Sequence, residues 1–352
     1  MVGEAALLTE LLEAYSPSGD EAAGVRAFLR IAANLGFGVE TDAIGNGIAR
    51  WGHGRPQVVY LGHIDTVPGR IPVRREGTRI WGRGACDAKG PLLSALLAHP
   101  PVRSRGELVV VASVGEESDS RGARHLVPSM APDAVIAGEP TGWDGVAIGY
   151  KGDLRLRAIV HGVRRHLSSP DPTTTERAMA WAGTVRALAE TAADRFRSLT
   201  VKIDTIRSSH DGGKESVEVV VDLRIPPGRT VASVVGSLPP LADGDTLETI
   251  ASIEPFESGR SDPVVRALVD GIRAHGGRPT LWRKGGTSDL NLVAPAWGIG
   301  GAAYGPGDAH LDHTDEEMLD LEDLATSAGV LRAAFGRLLE GLTPRGSAPG
   351  GG

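Results

Sequence analysis

The sequence predicts an α/β protein: a mixed, mostly parallel sheet with helices on both faces, plus an inserted α+β unit. Three observations point there. Continuous apolar runs at 58–61, 108–114 and 134–137 alternate with helical stretches, as strands buried on both faces do when helices connect them. After Gly152 the pattern changes, and 154–160 and 216–223 alternate polar with apolar residues, the mark of strands with one wet face. From Asp262 the helix–strand rhythm returns.

The elements follow in order. Residues 6–14 and 20–35 read as amphipathic helices, with Asp20 capping the second and Gly36 stopping it. Residues 37–42 and 48–51 read as a strand pair turned through Asn46-Gly47. The first buried strand is 58–61. A helix at 90–98, a strand at 108–114, a helix at 120–127 and a strand at 134–137 follow, the last ending at Gly138-Glu139-Pro140. Within the insert, helices are expected over 174–192 and 230–238. Beyond it lie a helix over 262–274, strands at 280–282 and near 297–300, and a long helix over 316–339. The expected organisation is a discontinuous α/β domain of residues 1–152 and 257–342, a smaller inserted α+β domain of 153–256, and a disordered Pro, Gly and Ser tail at 343–352.

Composition narrows the class. At 352 residues with 41% apolar content, the chain is long enough for two domains and a sizeable core. Its formal charge of −7, from 37 basic and 44 acidic residues, argues against a general nucleic-acid binder. The single cysteine, Cys86, cannot form an internal disulfide and fits a reducing compartment. No basic region precedes residues 5–12, so no signal peptide is read there, and no apolar run reaches the length of a bilayer span. The expectation is a soluble, cytoplasmic protein with neither nucleic acid nor membrane as partner.

One stretch, 58–117, carries the chemistry. It holds Gly62-His63-Ile64-Asp65-Thr66-Val67-Pro68, Gly82-Arg83-Gly84-Ala85-Cys86-Asp87-Ala88-Lys89-Gly90 and Gly115-Glu116-Glu117. Each block sits past a buried strand or at a Gly-rich turn opening a helix, where α/β sheets bind ligands. His63 and Asp65, two apart on a strand, point to the same side, so one can ligate a metal while the other holds the imidazole. Asp87 projects from a Gly-bordered turn and could bridge two ions. Of the adjacent Glu116 and Glu117, one can bind metal while its neighbour stays free, and Glu139 leaves the next strand before Pro140. Singly, each has a bland reading: a structural histidine, a turn-forming aspartate, a solvated glutamate pair. Their joint placement at successive strand ends favours a metal site with a carboxylate base. Gly285-Gly286-Thr287-Ser288-Asp289 lacks the second Gly of a nucleophile elbow, which argues against a serine hydrolase, and Cys86 reads as packing.

These motifs resemble the M20 metallopeptidase family over nearly the whole chain, and the resemblance implies a di-zinc exopeptidase-like fold. It implies two divalent ions, zinc or else cobalt, with His63 and Glu139 on one, Glu117 and His313 on the other, and Asp87 bridging. Asp65 would orient His63, and Glu116 would act as general base. Of two C-terminal histidines, His313, followed by Thr314-Asp315-Glu316-Glu317, fits the family pattern, whereas His310 reads as a surface neighbour. The stretch at 161–170 is similar to the family's lid segment, which would bring His166 over the site to help hold an oxyanion. Because that histidine often crosses a subunit interface in the family, a homodimer is expected. Arg224 would clamp a substrate carboxylate, and Gly286, Thr287 and Ser288 would form a second substrate loop, Ser288 doubling as a helix cap.

Within the family the closest similarity is to LysK-type hydrolases, which release lysine or ornithine from an amino-group carrier protein of the LysW kind. Gly138-Glu139-Pro140-Thr141-Gly142-Trp143-Asp144-Gly145 and Tyr304-Gly305-Pro306-Gly307-Asp308 carry that likeness. The implied reaction is hydrolysis of the γ-glutamyl amide between carrier and amino acid. The alternatives are a small-molecule deacylase of the acetylornithine or succinyl-diaminopimelate type, a carboxypeptidase, or a catalytically silent binding scaffold. Arg155, Arg157, Arg164 and Arg165 form a local basic cluster that could steer an acidic carrier, or simply lace a solvated strand.

Overall fold

The computed structural model describes residues 2–99, 105–166, 168–191 and 193–344. It divides into two compact units, one of residues 1–148, 258–282 and 288–352, the other of 149–257 and 283–287.

The first unit is built on a mixed sheet. At its centre four parallel strands lie side by side in the order Gly106–Ser113, Gln57–His63, Ala134–Gly138, Gly301–Ala303. Antiparallel strands flank them: Gly47–His53 and Gly38–Thr41 at one edge, Gly145–Tyr150 at the other. Along the Gln57–His63 strand, Val58, Val59, Tyr60 and Leu61 are all at most 2% exposed, so successive side chains are buried on opposite faces. That explains why the sequence there is a continuous apolar run rather than an alternation. The chain leaves the Gln57–His63 strand through the helix Lys89–Leu97 to the Gly106–Ser113 strand on one side. It then crosses back through the helix Arg121–Ser129 to the Ala134–Gly138 strand on the other. The strand order therefore reverses around His63, and its carboxyl end faces the crevice where α/β sheets place ligands.

The second unit is a four-stranded antiparallel sheet, ordered Thr200–Asp211, Lys214–Ile225, Gly152–Val163, Thr246–Ile253. Burial alternates along Gly152–Val163, where Leu154, Leu156, Ala158 and Val160 pack beneath the helix Thr174–Arg186. The opposite face is laced with ion pairs: Arg155 to Asp204 at 2.6 Å, Arg157 to Glu248 at 3.0 Å and to Glu218 at 3.4 Å. Arg165 pairs with Asp171. The basic cluster read from the sequence is thus largely neutralised by its own neighbours, and the solvated-strand reading of Arg155 and Arg157 prevails.

Several element boundaries differ from expectation for identifiable reasons. The second helix is Ala22–Asn34, with Glu21 rather than Asp20 at its cap position, while Gly36 does end it with φ +92°. The turn before Gly47–His53 is organised by Asp42, whose Oδ1 accepts from the amides of Ile44, Gly45 and Asn46. Asn46 itself is buried and accepts from the amide of Val114. The helix expected over 174–192 stops at Arg186, residue 192 lying outside the described residues. The strand expected near 297–300 is Gly301–Ala303, because the preceding apolar run forms the short helix Leu290–Trp297. The last helix begins at Leu321, five residues later than expected, after a strand at Met318–Asp320. Of the predicted tail, residues 345–352 lie outside the described residues.

Candidate metal centre

The carboxyl ends of the parallel strands deliver the polar residues. His63 is the last residue of its strand and 2% exposed. Its Nδ1 stands 2.9 Å from the backbone carbonyl of Asp65, which can only accept, so Nδ1 donates there and Nε2 is turned toward the centre. Orientation of the imidazole thus comes mainly from the main chain of Asp65, with the carboxylate Oδ1 farther off at 3.6 Å. That carboxylate is taken up by the next strand exit: it accepts from the amides of Glu116 and Glu117, each at 3.1 Å, and from Ser18 Oγ at 2.7 Å. Burial opposes ionisation of Asp65, yet His63, Ser18 and these amides hold its carboxyl below the ordinary range.

Asp87 lies between two imidazoles. Its Oδ1 is 3.1 Å from His63 Nε2, and its Oδ2 is 3.2 Å from His313 Nε2. His313 Nε2 also meets Glu117 Oε1 at 2.9 Å. Donor atoms of His63, Asp87 and Glu117 lie within 4.8 Å of one another. Burial disfavours the charged form of Asp87, but the two imidazoles outweigh it and hold its carboxyl well below the usual range. The same contacts, first Asp87 and then Glu117, push His313 up to about 10. His313 reaches this position from a turn with φ +63° and keeps half of its side chain exposed, and His310 is exposed as well.

Glu116 has the opposite electrostatics. Burial, and then the charges of Glu139, Asp289 and Glu117, push its carboxyl well above the ordinary value despite the opposing pull of His63. A carboxylate so placed is primed to take up a proton. Gly115 makes the turn that leads from the Gly106–Ser113 strand into the two glutamates: its φ is +76°, and a Cβ there would stand 2.4 Å from Arg121 Nη1. Glu139 is half-buried at the exit of the Ala134–Gly138 strand, near enough to act on Glu116 but outside the group of three.

The remaining predicted residues are placed as follows. His166 is exposed, with Nδ1 2.7 Å from Ser168 Oγ. Arg224 directs its fork at Asp222, Nε to Oδ1 at 2.9 Å and Nη2 to Oδ2 at 3.1 Å, so a substrate carboxylate would have to compete for it. Gly286 is exposed and Thr287 half-buried, while Ser288 is buried and caps Leu290–Trp297 by accepting from the Leu290 amide at 3.3 Å. Two acids escaped sequence reading. Asp289 was noticed only as part of that cap, yet it makes no capping bond; it is 3% exposed and accepts from Ser113 Oγ at 3.2 Å. Glu317, read as the start of a helix, is 1% exposed and bonded to the Asp87 turn. A Ser-Asp pair before an apolar helix and a glutamate four residues after His313 were the available signals.

Residues 59–337 match the model of peptidase family M20/M25/M40. The chain belongs to this family. It is 38% identical over 336 residues, 95% of this chain and 97% of the relative, to a Pyrococcus horikoshii protein provisionally named LysW-lysine/LysW-ornithine hydrolase. It is 36% identical over 353 residues to the LysW-lysine hydrolase of Deinococcus radiodurans, again covering 95% and 97% of the two chains. Among solved structures, aminopeptidase PepT from Bacillus cereus superposes with a TM-score of 0.77 at 20% identity, covering 95% of this chain and 98% of that one, and shares the fold.

The family's chemistry calls for divalent metal ions, and the donors gathered here fit them. Donor atoms of His63, Asp87 and Glu117 gather within 4.8 Å, and the His313 imidazole meets Asp87 and Glu117, a nitrogen-and-oxygen set suited to zinc-like cations. No helix among the described residues is long and apolar enough to cross a membrane.

Proposed function

We propose that this protein is a metal-dependent amidohydrolase that frees lysine or ornithine from a LysW-type carrier by cleaving the γ-glutamyl amide joining them. The observation that carries the reading is Asp87 standing between His63 and His313, with Glu117 on one of those imidazoles and the proton-seeking Glu116 beside them. The names of the relatives at 36–38% identity support the choice of substrate.

His63 and Glu139 would hold one ion, Glu117 and His313 the other, and Asp87 both. Zinc or cobalt held there supplies Lewis acidity toward an amide carbonyl and acidifies water. The chain's own residues do the rest. Asp65 locks the Glu116–Glu117 turn against the strand carrying His63, so ligand and base keep a fixed spacing. Glu116 takes a proton from the water whose oxygen bonds to the carbonyl carbon, then returns it to the departing amine as the C–N bond breaks. His166, on the 153–256 insert, would act as a lid group toward the developing oxyanion, and Thr287 and Ser288 would receive the amino acid's carboxylate. Arg224 would join them on release from Asp222. We place the enzyme in the cytoplasm as a homodimer.

The test is direct. Protein loaded with zinc or cobalt is offered carrier-γ-glutamyl-lysine, carrier-γ-glutamyl-ornithine and N-acetylornithine, and free amino acid is quantified. Turnover of either carrier conjugate well above N-acetylornithine is expected. Turnover of N-acetylornithine alone would overturn the assignment in favour of a small-molecule deacylase.

A further inference from the structure

Glu317 is a buried carboxylate with a defined set of partners. Its Oε1 accepts from the amides of Cys86 and Asp87, both at 3.2 Å, and its Oε2 accepts from Arg83 Nη1 at 3.0 Å. Arg83, only 5% exposed, also donates from Nη1 to the Thr314 carbonyl at 2.9 Å and from Nε to the Gly69 carbonyl at 3.0 Å. One ion pair therefore ties three segments that meet at the centre. The first follows His63 and Asp65, the second carries Asp87, and the third carries His313.

The geometry has a direct consequence for Asp87. An aspartate side chain has two rotatable bonds, so the position of its backbone decides where its oxygens can reach. Here that backbone is pinned at two consecutive amides by a single acceptor, and its two oxygens reach histidines on different segments. Without Glu317 those two buried amides would lose this partner, and the turn would have to move to find another. A buried ion pair adds little stability over an apolar replacement of the same volume, so its presence here calls for a reason other than stability.

We propose that Glu317, braced by Arg83, is the positioning residue that aims Asp87 between His63 and His313 and thereby sets the spacing of the two ions. This rests on the metal-centre reading above. Loss of such an outer partner typically weakens metal binding 10–100-fold.

The test uses Glu317→Gln and Glu317→Asp in the full chain. Glu317→Gln keeps the side chain's size but turns an N–H group toward the amides or toward Arg83. Zinc affinity for both ions is measured by chelator competition, the cobalt-loaded protein by its visible absorption, and the metal-free fold by its thermal midpoint. The expected result for Glu317→Gln is zinc binding weakened 10–100-fold, an altered cobalt spectrum, and kcat reduced more than KM, with partial recovery at excess metal. Glu317→Asp should lie between this and wild type. Wild-type affinity for both ions with an unchanged cobalt spectrum would overturn the proposal, even if the thermal midpoint fell. Should Glu317→Gln fail to fold, Glu317→Asp carries the same comparison with the same overturning result. Wild-type metal binding that survived His63→Ala would instead overturn the metal-centre reading, so the two failures are distinguishable.

Discussion

Replacing Asp289 by asparagine removes a buried negative charge while keeping the side chain's shape and its acceptor for Ser113 Oγ. Burial is the main cause that raises the Asp289 carboxyl from 3.8 to about 6, with the charge of Asp65 adding to it against Ser120, Ser113 and His63. Because the folded value lies above the unfolded one, the folded protein keeps a proton that the unfolded chain has lost between those two pH values. Stability therefore falls across that window and stays lower above it. A gap of about two pH units corresponds to about 3 kcal/mol. The asparagine variant has no such titration. Urea unfolding of both proteins, stripped of metal with a chelator, should show Asp289→Asn gaining up to about 3 kcal/mol on wild type between pH 4 and pH 7. A difference between the two proteins that is the same at both pH values would refute the reasoning. The gain should come at the expense of activity, since the charge of Asp289 is among those that keep Glu116 avid for a proton.

Other consequences are equally accessible. Glu116→Gln should lower kcat by on the order of 10²–10⁴ while leaving the metal content found by elemental analysis unchanged. His313→Ala should weaken zinc binding by more than the roughly 10–100-fold typical of outer partners, whereas His310→Ala should leave it untouched, as chelator competition would show. Gly115→Ala places a side chain at φ +76° against Arg121. It should destabilise the protein by about 1–3 kcal/mol in urea unfolding and depress kcat by displacing both glutamates.

The parts of the fold that could be read in advance were those where local pattern and tertiary burial agree. Residues 58–61 are apolar on both faces because both faces are covered, and the residues just past that strand and the strand at 108–114 became the centre. Reading failed where a local signal had a tertiary competitor. Asn46-Gly47 advertises a two-residue turn; the hairpin does form between Gly38–Thr41 and Gly47–His53, but its loop is 42–46, where Asp42 collects the amides and Asn46 is drawn inward to the Val114 amide. The acids 315–317 look like a helix start, but Arg83, far away in sequence, claims Glu317 and delays the helix. Arg155 and Arg157 suggest a basic surface only until the strands bearing Asp204, Glu218 and Glu248 are laid alongside. In each case the deciding partner was remote along the chain, where periodicity carries no information.

Of the four side chains that meet here, His63, Asp87, Glu117 and His313, three come by residue 117, and His313 arrives 196 residues after the glutamate it meets. During synthesis on the ribosome, a nascent chain would long display His63, Asp87 and Glu117 without the imidazole that completes the set. On the proposed reading, cation capture by the full set would therefore be reserved for a chain extended past residue 313.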